Sequence, residues 1–460
     1  MATPSKAGAA LAALREDLSG DVFAPGDPGY DDARIVFNAM IDRRPAVIAQ
    51  CVDEADVVRS VRFARDLDLP IAVRGGGHSV AGSALNDGGL VIDLRHMRAV
   101  TVDPAAEAVK VAGGATMGDL DRATQEHGLV TTGGRVSTTG VGGFVLGGGS
   151  GWLDRWCGLA VDNLIAVELV TADGRQVHAS ADENPDLFWA LHGGGGNFGV
   201  ATSLTLNLYE LPEFSMAFLL CLPEYGGELV RTFRDVIDSG PNEASGGVLY
   251  LTGPPEDFCP PHLQGRLLSA VLLTYAGSEA AMRKVAEPLL ALPHEAAMVG
   301  PIPYVEMQRM LDDPPGFRNY WSAEYLTGLP DDYVDAFCKG VESMPVPSGT
   351  IHVVWPQGGA IATGPHQYPV PYRDAPWATH PFAMWEDPAD DERCVQWVRD
   401  VRAAARPWST GDVYLNFIGE EGHDRVVAGL GADNYRRLAE IKRQYDPDNV
   451  FRFNHNIKPA

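Results

Sequence analysis

Apolar residues in the first half of the chain come in short bursts closed by glycine, proline or charged clusters. Residues 9–18 predict a short helix ending at Gly20, and 30–43 an extended stretch holding Ile35 and Val36. Residues 45–50 predict a strand. Asp53-Glu54-Ala55-Asp56 then opens a helix whose apolar side is Val57, Val58, Val61, Ala64 and Leu67. A strand at 69–73, entered through Pro70, completes a β-α-β unit. Strands follow at 89–94 and 108–112, and a helix at 118–127 capped by Gly128. Residues 165–170 and 176–179 flank the turn Ala172-Asp173-Gly174-Arg175 as a hairpin. Residues 184–191 form a helix with proline in its first turn, and 202–208 alternate as a strand.

Past Pro212 the texture changes. Strands at 216–222, 247–251, 267–275 and 349–355 interleave with helices at 227–239, 279–292, 331–343 and 390–402. This predicts a second α+β unit, an antiparallel sheet with helices on one face, placed to cover a substrate. From Asp412 special residues return, with a helix near 434–445. The chain therefore divides into 1–211 (core about 42–211), 212–411 and 412–460.

Three glycine concentrations interrupt this pattern. The strand at 69–73 runs into Arg74-Gly75-Gly76-Gly77-His78-Ser79, with Gly82 beyond. Consecutive glycines leave bare N–H groups that a pyrophosphate can approach, and His78 stands beside whatever the loop binds. Residues 133–163 carry the second concentration, and interleaved Val, Phe, Leu and Trp argue against a flexible linker, since linkers are polar. A buried backbone pressed against a large flat ligand is the better reading. The third run is 193–199, followed by Val200.

At 460 residues the chain exceeds one ordinary core. A net charge of −25 argues against nucleic acid or an anionic membrane as partner. Six cysteines without a Cys-x-x-Cys pair fit a reducing compartment, with no disulfide framework or zinc site. Residues 1–17 lack a signal-peptide pattern and no apolar run could span a bilayer, so a soluble, cytoplasmic protein is expected. The remaining histidines show no ligand spacing, and no metal is assigned.

In order along the chain, Arg74-Gly-Gly-Gly-His78-Ser79, the run from Gly140 to Gly149, Gly158-Leu-Ala-x-Asp-Asn163, Trp189 to Gly199 and Phe453-Asn454-x-Asn456 resemble one family. It is the FAD-linked oxidases of the vanillyl-alcohol oxidase / p-cresol methylhydroxylase (PCMH) superfamily, berberine-bridge-enzyme-like branch. The resemblance covers nearly the whole chain and is weakest over about 212–410. It implies an α+β fold: a two-part PCMH-type FAD-binding domain plus a substrate domain whose antiparallel sheet is covered by helices.

It also implies FAD held covalently by the His78 imidazole on the 8α methyl carbon. Many relatives add a cysteinyl link, but Val136 stands at that position and Cys157 lies later, so a single link is expected. Further cofactor contacts are implied at Arg74, Gly75, Gly76, Gly77, Ser79 and Gly82 in the first loop. In the second segment they are Thr138, Thr139, Gly142, Gly143, Gly147, Gly148, Gly151, Trp152, Gly158 and Asn163. Val200, Tyr414, Asn416 and Asn454 complete the set. Thr139 matches a position that controls oxygen access.

Hydride transfer to flavin N5 needs a base for the accompanying proton, and Tyr414 matches the family's tyrosine on the substrate face. Without the family, Tyr414 reads as a packed strand aromatic. Residues 357–373 resemble the strand-turn-strand where plant relatives place a catalytic glutamate. No carboxylate stands there, so Tyr368, Gln367 or His366 is expected to face the flavin, Tyr368 first. Two tyrosines suit oxidation of an alcohol, hemiacetal or phenol better than carboxylate-driven coupling. The expected protein is an oxidase that reduces O₂ to H₂O₂ on a small molecule in bacterial secondary metabolism, as monomer or homodimer. Sequestration of a drug-like compound and a dehydrogenase with another acceptor are the alternatives.

Overall fold

The computed structural model describes residues 6–312 and 315–460, so residues 1–5 of the leader reading lie outside it. Among the described residues no helix is long and apolar enough to cross a membrane. The first lobe holds two main sheets. In one, Val22–Phe23, Val47–Gln50, Leu90–Asp93 and Ile71–Arg74 lie in that order, the last three parallel. Asp53 caps the crossover helix Glu54–Asp66 by accepting the Asp56 N–H at 2.8 Å. Val57, Val61 and Ala64 of that helix are buried with the sheet's own Val47, Leu90 and Ile92. The β-α-β unit thus forms, with Leu90–Asp93 inserted between its two strands. Residues 30–43 depart from an extended path, since Tyr30–Ala33 is one helical turn.

The other sheet is antiparallel, in the order Val100–Asp103, Ala108–Ala112, Val200–Asn207, Leu164–Val170 and Gln176–Ser180. Buried and half-buried positions alternate along Val200–Asn207, as one packed face requires. The short helices Val141–Leu146 and Asp154–Cys157 and the turn Ala160–Asn163 break up the long glycine segment.

The second lobe is one antiparallel sheet ordered Ala296–Pro301, Ser215–Cys221, Leu267–Tyr275, Ala244–Thr252, Ile351–Pro356, Trp377–Trp385 and Arg318–Trp321. Glu324–Leu326 also pairs with Trp377–Trp385. Helices Gly226–Ser239, Glu279–Leu290, Asp331–Lys339 and Asp391–Ala405 bury Phe233, Met282, Phe337 and Trp397 with Ala217, Leu219 and Cys221. The alternate residues Met216, Phe218 and Leu220 pack with Trp152, Leu153 and Tyr304. With helices on one face and the first lobe on the other, Ser215–Cys221 is buried throughout, which is why it reads as an unbroken apolar run.

Residues 357–373 form no strand-turn-strand; a helical turn Ala360–Thr363 and a tight turn Pro371–Asp374 replace it. Tyr414 sits ahead of the turn Leu415–Phe417 rather than in a strand. The helix Ala432–Tyr445 then brings Lys442 into the first lobe. Its buried Nζ donates to Asp446 at 2.7 Å, to Asn197 O at 2.6 Å and to Phe451 O at 2.9 Å. Phe451 bridges to Ile71, so the end of the chain closes over the strand that delivers the first glycine loop.

Candidate functional site

Between the lobes lies a cavity of about 510 Å³. Gly75–Gly77, His78 and Ser79 wall it, with Thr139, Gly142, Gly143 and Gly147 from the second glycine segment and Gly193–Asn197 and Gly199 from the third. Tyr414, Asn416 and Asn454 close it from the C-terminal side. The second lobe contributes Trp321, Ile351, Trp355, His380 and Phe382, and the loop Met310–Asp312.

The glycines are spent in two ways. Gly76 and Gly140 meet backbone to backbone; a Cβ on Gly76 would stand 2.3 Å from the Gly140 nitrogen. Gly143 and Gly196 line the void, and a Cβ on either would meet no atom within 4 Å. Bare peptide therefore faces open space, not a neighbour. Asn454 adds a buried Oδ1 without a hydrogen-bond partner among the described residues. FAD fits this set: a large flat ring for the bare peptides, and hydroxyl and amine donors for the waiting oxygen.

His78 stacks on Phe37 with ring centroids 4.1 Å apart, and its Nε2 lies 2.7 Å from Thr138 Oγ1. Nδ1 has no hydrogen bond among the described residues. Burial pushes the imidazole down to about 4, so it is neutral at physiological pH.

Tyr414 is 2% exposed, and three N–H groups converge on its oxygen: Gly149 N at 2.9 Å, Ser150 N at 3.2 Å and Asn416 Nδ2 at 2.9 Å. The same Nδ2 also donates to Phe144 O at 3.2 Å, which fixes the amide's orientation. Burial raises the phenol above its ordinary value; these donors and, least of all, the nearby Arg135 pull against that rise without reversing it.

Adjoining it through Phe417, 4.7 Å from the Tyr414 ring, stands an aromatic wall. His380 stacks on Phe417 at 4.0 Å and meets Trp321 edge-on at 5.7 Å; its buried Nε2 has no partner among the described residues. Burial first, then Arg135 and His352, hold this imidazole well below its ordinary value. Arg135 lies over Trp355 at 4.2 Å and Trp152 at 5.2 Å.

Several expected contacts sit behind the walls. The Arg74 guanidinium turns away to Ala33 O, at 2.7 Å, and Ile35 O. Gly82 donates to Ser79 O at 3.0 Å, tightening the first loop. Thr138 meets His78 Nε2 and does not itself line the cavity. Gly148 (φ 117°) and Gly158 (φ 81°) take backbone turns that favour glycine. Gly151 presses on Gly133 O, and Trp152 packs edge-on against Trp355 at 5.9 Å. Asn163 ties Cys157 O and Leu159 O, each at 3.1 Å, and Val200 opens a buried strand.

Tyr368 requires correction. It stacks on His192 at 3.7 Å, outside the cavity wall, because Trp189 Nε1 holds Gln367 O at 2.6 Å and folds that loop onto the first lobe. His366 bonds Ala362 O, so none of the three candidates faces the cavity. His380, in the strand Trp377–Trp385, lines the cavity, which Tyr368 does not. Nothing in the sequence flagged it or Arg135: one lies in a proline-containing strand, the other in a glycine segment read for backbone alone.

A glycine-lined void with an imidazole at one wall and a buried phenol at another defines a flavin dinucleotide site. The FAD binding domain family matches residues 45–180, and the "Berberine and berberine like" family matches residues 413–458. The chain is 32% identical to (R)-6-hydroxynicotine oxidase of Paenarthrobacter nicotinovorans, covering 96% of this chain and 97% of that one. It is 30% identical to the uncharacterized FAD-linked oxidoreductase YgaK of Bacillus subtilis (strain 168), over 96% and 97%. Among solved structures, 6-hydroxy-D-nicotine oxidase from Arthrobacter nicotinovorans superposes over all of both chains with a TM-score of 0.87 at 29% identity. Physcomitrella patens BBE-like 1 shares the fold, with a TM-score of 0.87 at 22% identity over 99% of both chains. The chain belongs to the berberine-bridge-like FAD-linked oxidoreductases.

Proposed function

We propose that this protein is an oxidase that takes a hydride from a small molecule with a planar or aromatic body and an alcohol, hemiacetal or phenol group, with FAD tethered through His78 alone. The observation that supports this most is the wall adjoining Tyr414, where Trp321, Trp355, Phe382 and Phe417 surround the unpartnered Nε2 of a neutral His380. When bound, FAD supplies the two-electron acceptor for the hydride and passes the electrons to O₂, giving H₂O₂.

The chain's own residues do the rest. Gly75–Ser79, Gly142, Gly143 and Gly147 offer backbone to the cofactor, and Asn416 and Asn454 offer amides. With Nε2 taken by Thr138, the neutral His78 keeps Nδ1 as the nitrogen for attachment. Val136 brings no thiol, and burial pushes Cys157 up to about 12 against Thr132, behind the wall. Tyr414 accepts the substrate's hydroxyl proton, and His380, on the other side of Phe417, offers Nε2 to a second polar group of the substrate. Residues 1–211 and 412–460 hold the cofactor, and 212–411 shape the substrate side.

Similarity along the whole chain to (R)-6-hydroxynicotine oxidase supports a second reading, in which the oxidised carbon bears an amine. Acid precipitation of wild type and His78→Ala, with flavin absorbance of each pellet, tests the tether: flavin stays with wild type and leaves with the variant. A wild type that releases its flavin sinks the tether. H₂O₂ release from paired aromatic alcohols and amines decides between the substrate classes. Reduced flavin that persists in air marks a dehydrogenase, and tight binding without bleaching marks sequestration.

A further inference from the structure

Three N–H donors on one phenol oxygen are an arrangement for an oxyanion, because a neutral phenol has only two lone pairs to offer. An anion there needs a counter-charge, and the groups around Tyr414 narrow the choice. Tyr372 meets it edge-on at 6.0 Å, with Tyr325 stacked behind at 4.4 Å. Phe417 separates it from His380. Arg373, next to Tyr372, is taken by both oxygens of Asp162.

Arg135 is held differently. Its Nη1 donates to Ser150 O at 3.2 Å and its Nη2 to Gly151 O at 2.9 Å, along the same run whose N–H groups hold Tyr414. Asp154 Oδ2 pairs with it at 3.7 Å while also accepting Ser150 Oγ and Gly151 N, so this carboxylate offsets part of the cation's charge. The two tryptophan faces hold the cation without neutralising it. Arg135 lines the cavity with Nε unpartnered among the described residues.

We propose that Arg135 is a positioning residue: a fixed, buried cation whose field eases ionisation of the Tyr414 phenol, so that Tyr414 takes the substrate's proton. The inference rests on Tyr414 being the base. The substrate O–H bond breaks and its proton goes to the tyrosinate oxygen as the hydride leaves the adjacent carbon. The phenol so formed then gives its proton to solvent before the next turnover.

The test uses holoenzyme carrying tyrosine labelled at Cζ, with the Tyr414 resonance assigned by Tyr414→Phe. Its titration is followed in wild type, Arg135→Met and Arg135→Lys, beside the pH profile of kcat/KM. Arg135→Met is expected to raise the Tyr414 pKa by about one unit or more, with kcat/KM at neutral pH falling about tenfold. Arg135→Lys restores most of both, which a packing role alone would not require. A Tyr414 titration that does not move in either variant overturns the proposal. A titration that moves while the kinetic profile stays put upholds the field of Arg135 and overturns Tyr414 as base.

Discussion

Phenylalanine in place of Tyr414 removes a proton acceptor and also strands three N–H donors in a buried site. The stranded donors cost about 1–3 kcal/mol of stability each at most. Loss of a general base costs about 10²–10⁴ in the chemical step. Stopped-flow reduction of the variant's flavin by substrate should slow by that factor while flavin content holds; unchanged reduction would remove Tyr414 from the chemistry. As cavity residues, His78 was legible from its glycine loop and Tyr414 only through the family resemblance, since alone it reads as a packed strand aromatic. Arg135 and His380 were not, since a lone Arg among glycines or a lone His in a strand acquires a role only when the lobes meet. Tyr368 misled for the same reason: a loop's local pattern does not say which lobe it folds onto.

Among elements, the turn beginning at Tyr304–Met307 fastens the cavity's Met310–Asp312 wall to the first lobe by two contacts. Gln308 Nε2 donates to Asp121 at 3.0 Å, and Asp312 accepts from Ser137 N and Oγ, each at 2.6 Å. Burial pushes the Asp121 carboxyl up to about 7, while Gln308 Oε1 is buried without a partner among the described residues. The folded protein thus holds a proton here that the unfolded chain has lost, so this contribution to stability weakens as pH rises from about 4 to about 7. Asp121→Asn keeps the acceptor and answers Gln308 Oε1 with an N–H. Its stability advantage over wild type, read from urea unfolding, should grow from about pH 5 to about pH 7. A constant difference would mean that Asp121 stays ionised.

Helices such as Glu54–Asp66 and Gly226–Ser239 were legible from apolar spacing to within a residue or two. Trp377–Trp385 was not, because Pro381 argues against a strand inside a sheet. It is tolerated where the neighbouring partner changes from Arg318–Trp321 to Glu324–Leu326 and pairing is interrupted.

For the molecule as a whole, buried neutral histidines set the acid limit. Burial holds His192 at about 4 and His352 at about 3, so unfolded chains take up protons that the folded state refuses. Stability should fall as pH drops below about 6.5, by about 1.4 kcal/mol per unit for each group until its folded value is reached. Asp121 opposes this over part of the range. Urea midpoints measured from about pH 7 to about pH 4.5 should decline, and His352→Gln should flatten the slope; a flat wild-type profile would count against both assignments. The α+β architecture and the cofactor were legible because glycine motifs recur in order along the chain, whereas the meeting of the two lobes is written in no local pattern.

The cavity borrows its walls from residues as far apart as Ile71 and His455. The closing contacts, from Lys442 to Phe451 and from Phe451 to Ile71, come late in the chain. A ribosome that has reached residue 400 has made both lobes' sheets but not the cavity. Flavin capture therefore waits until residue 451 has been translated, and a nascent chain stalled before it should leave free flavin in solution however well its sheets have folded.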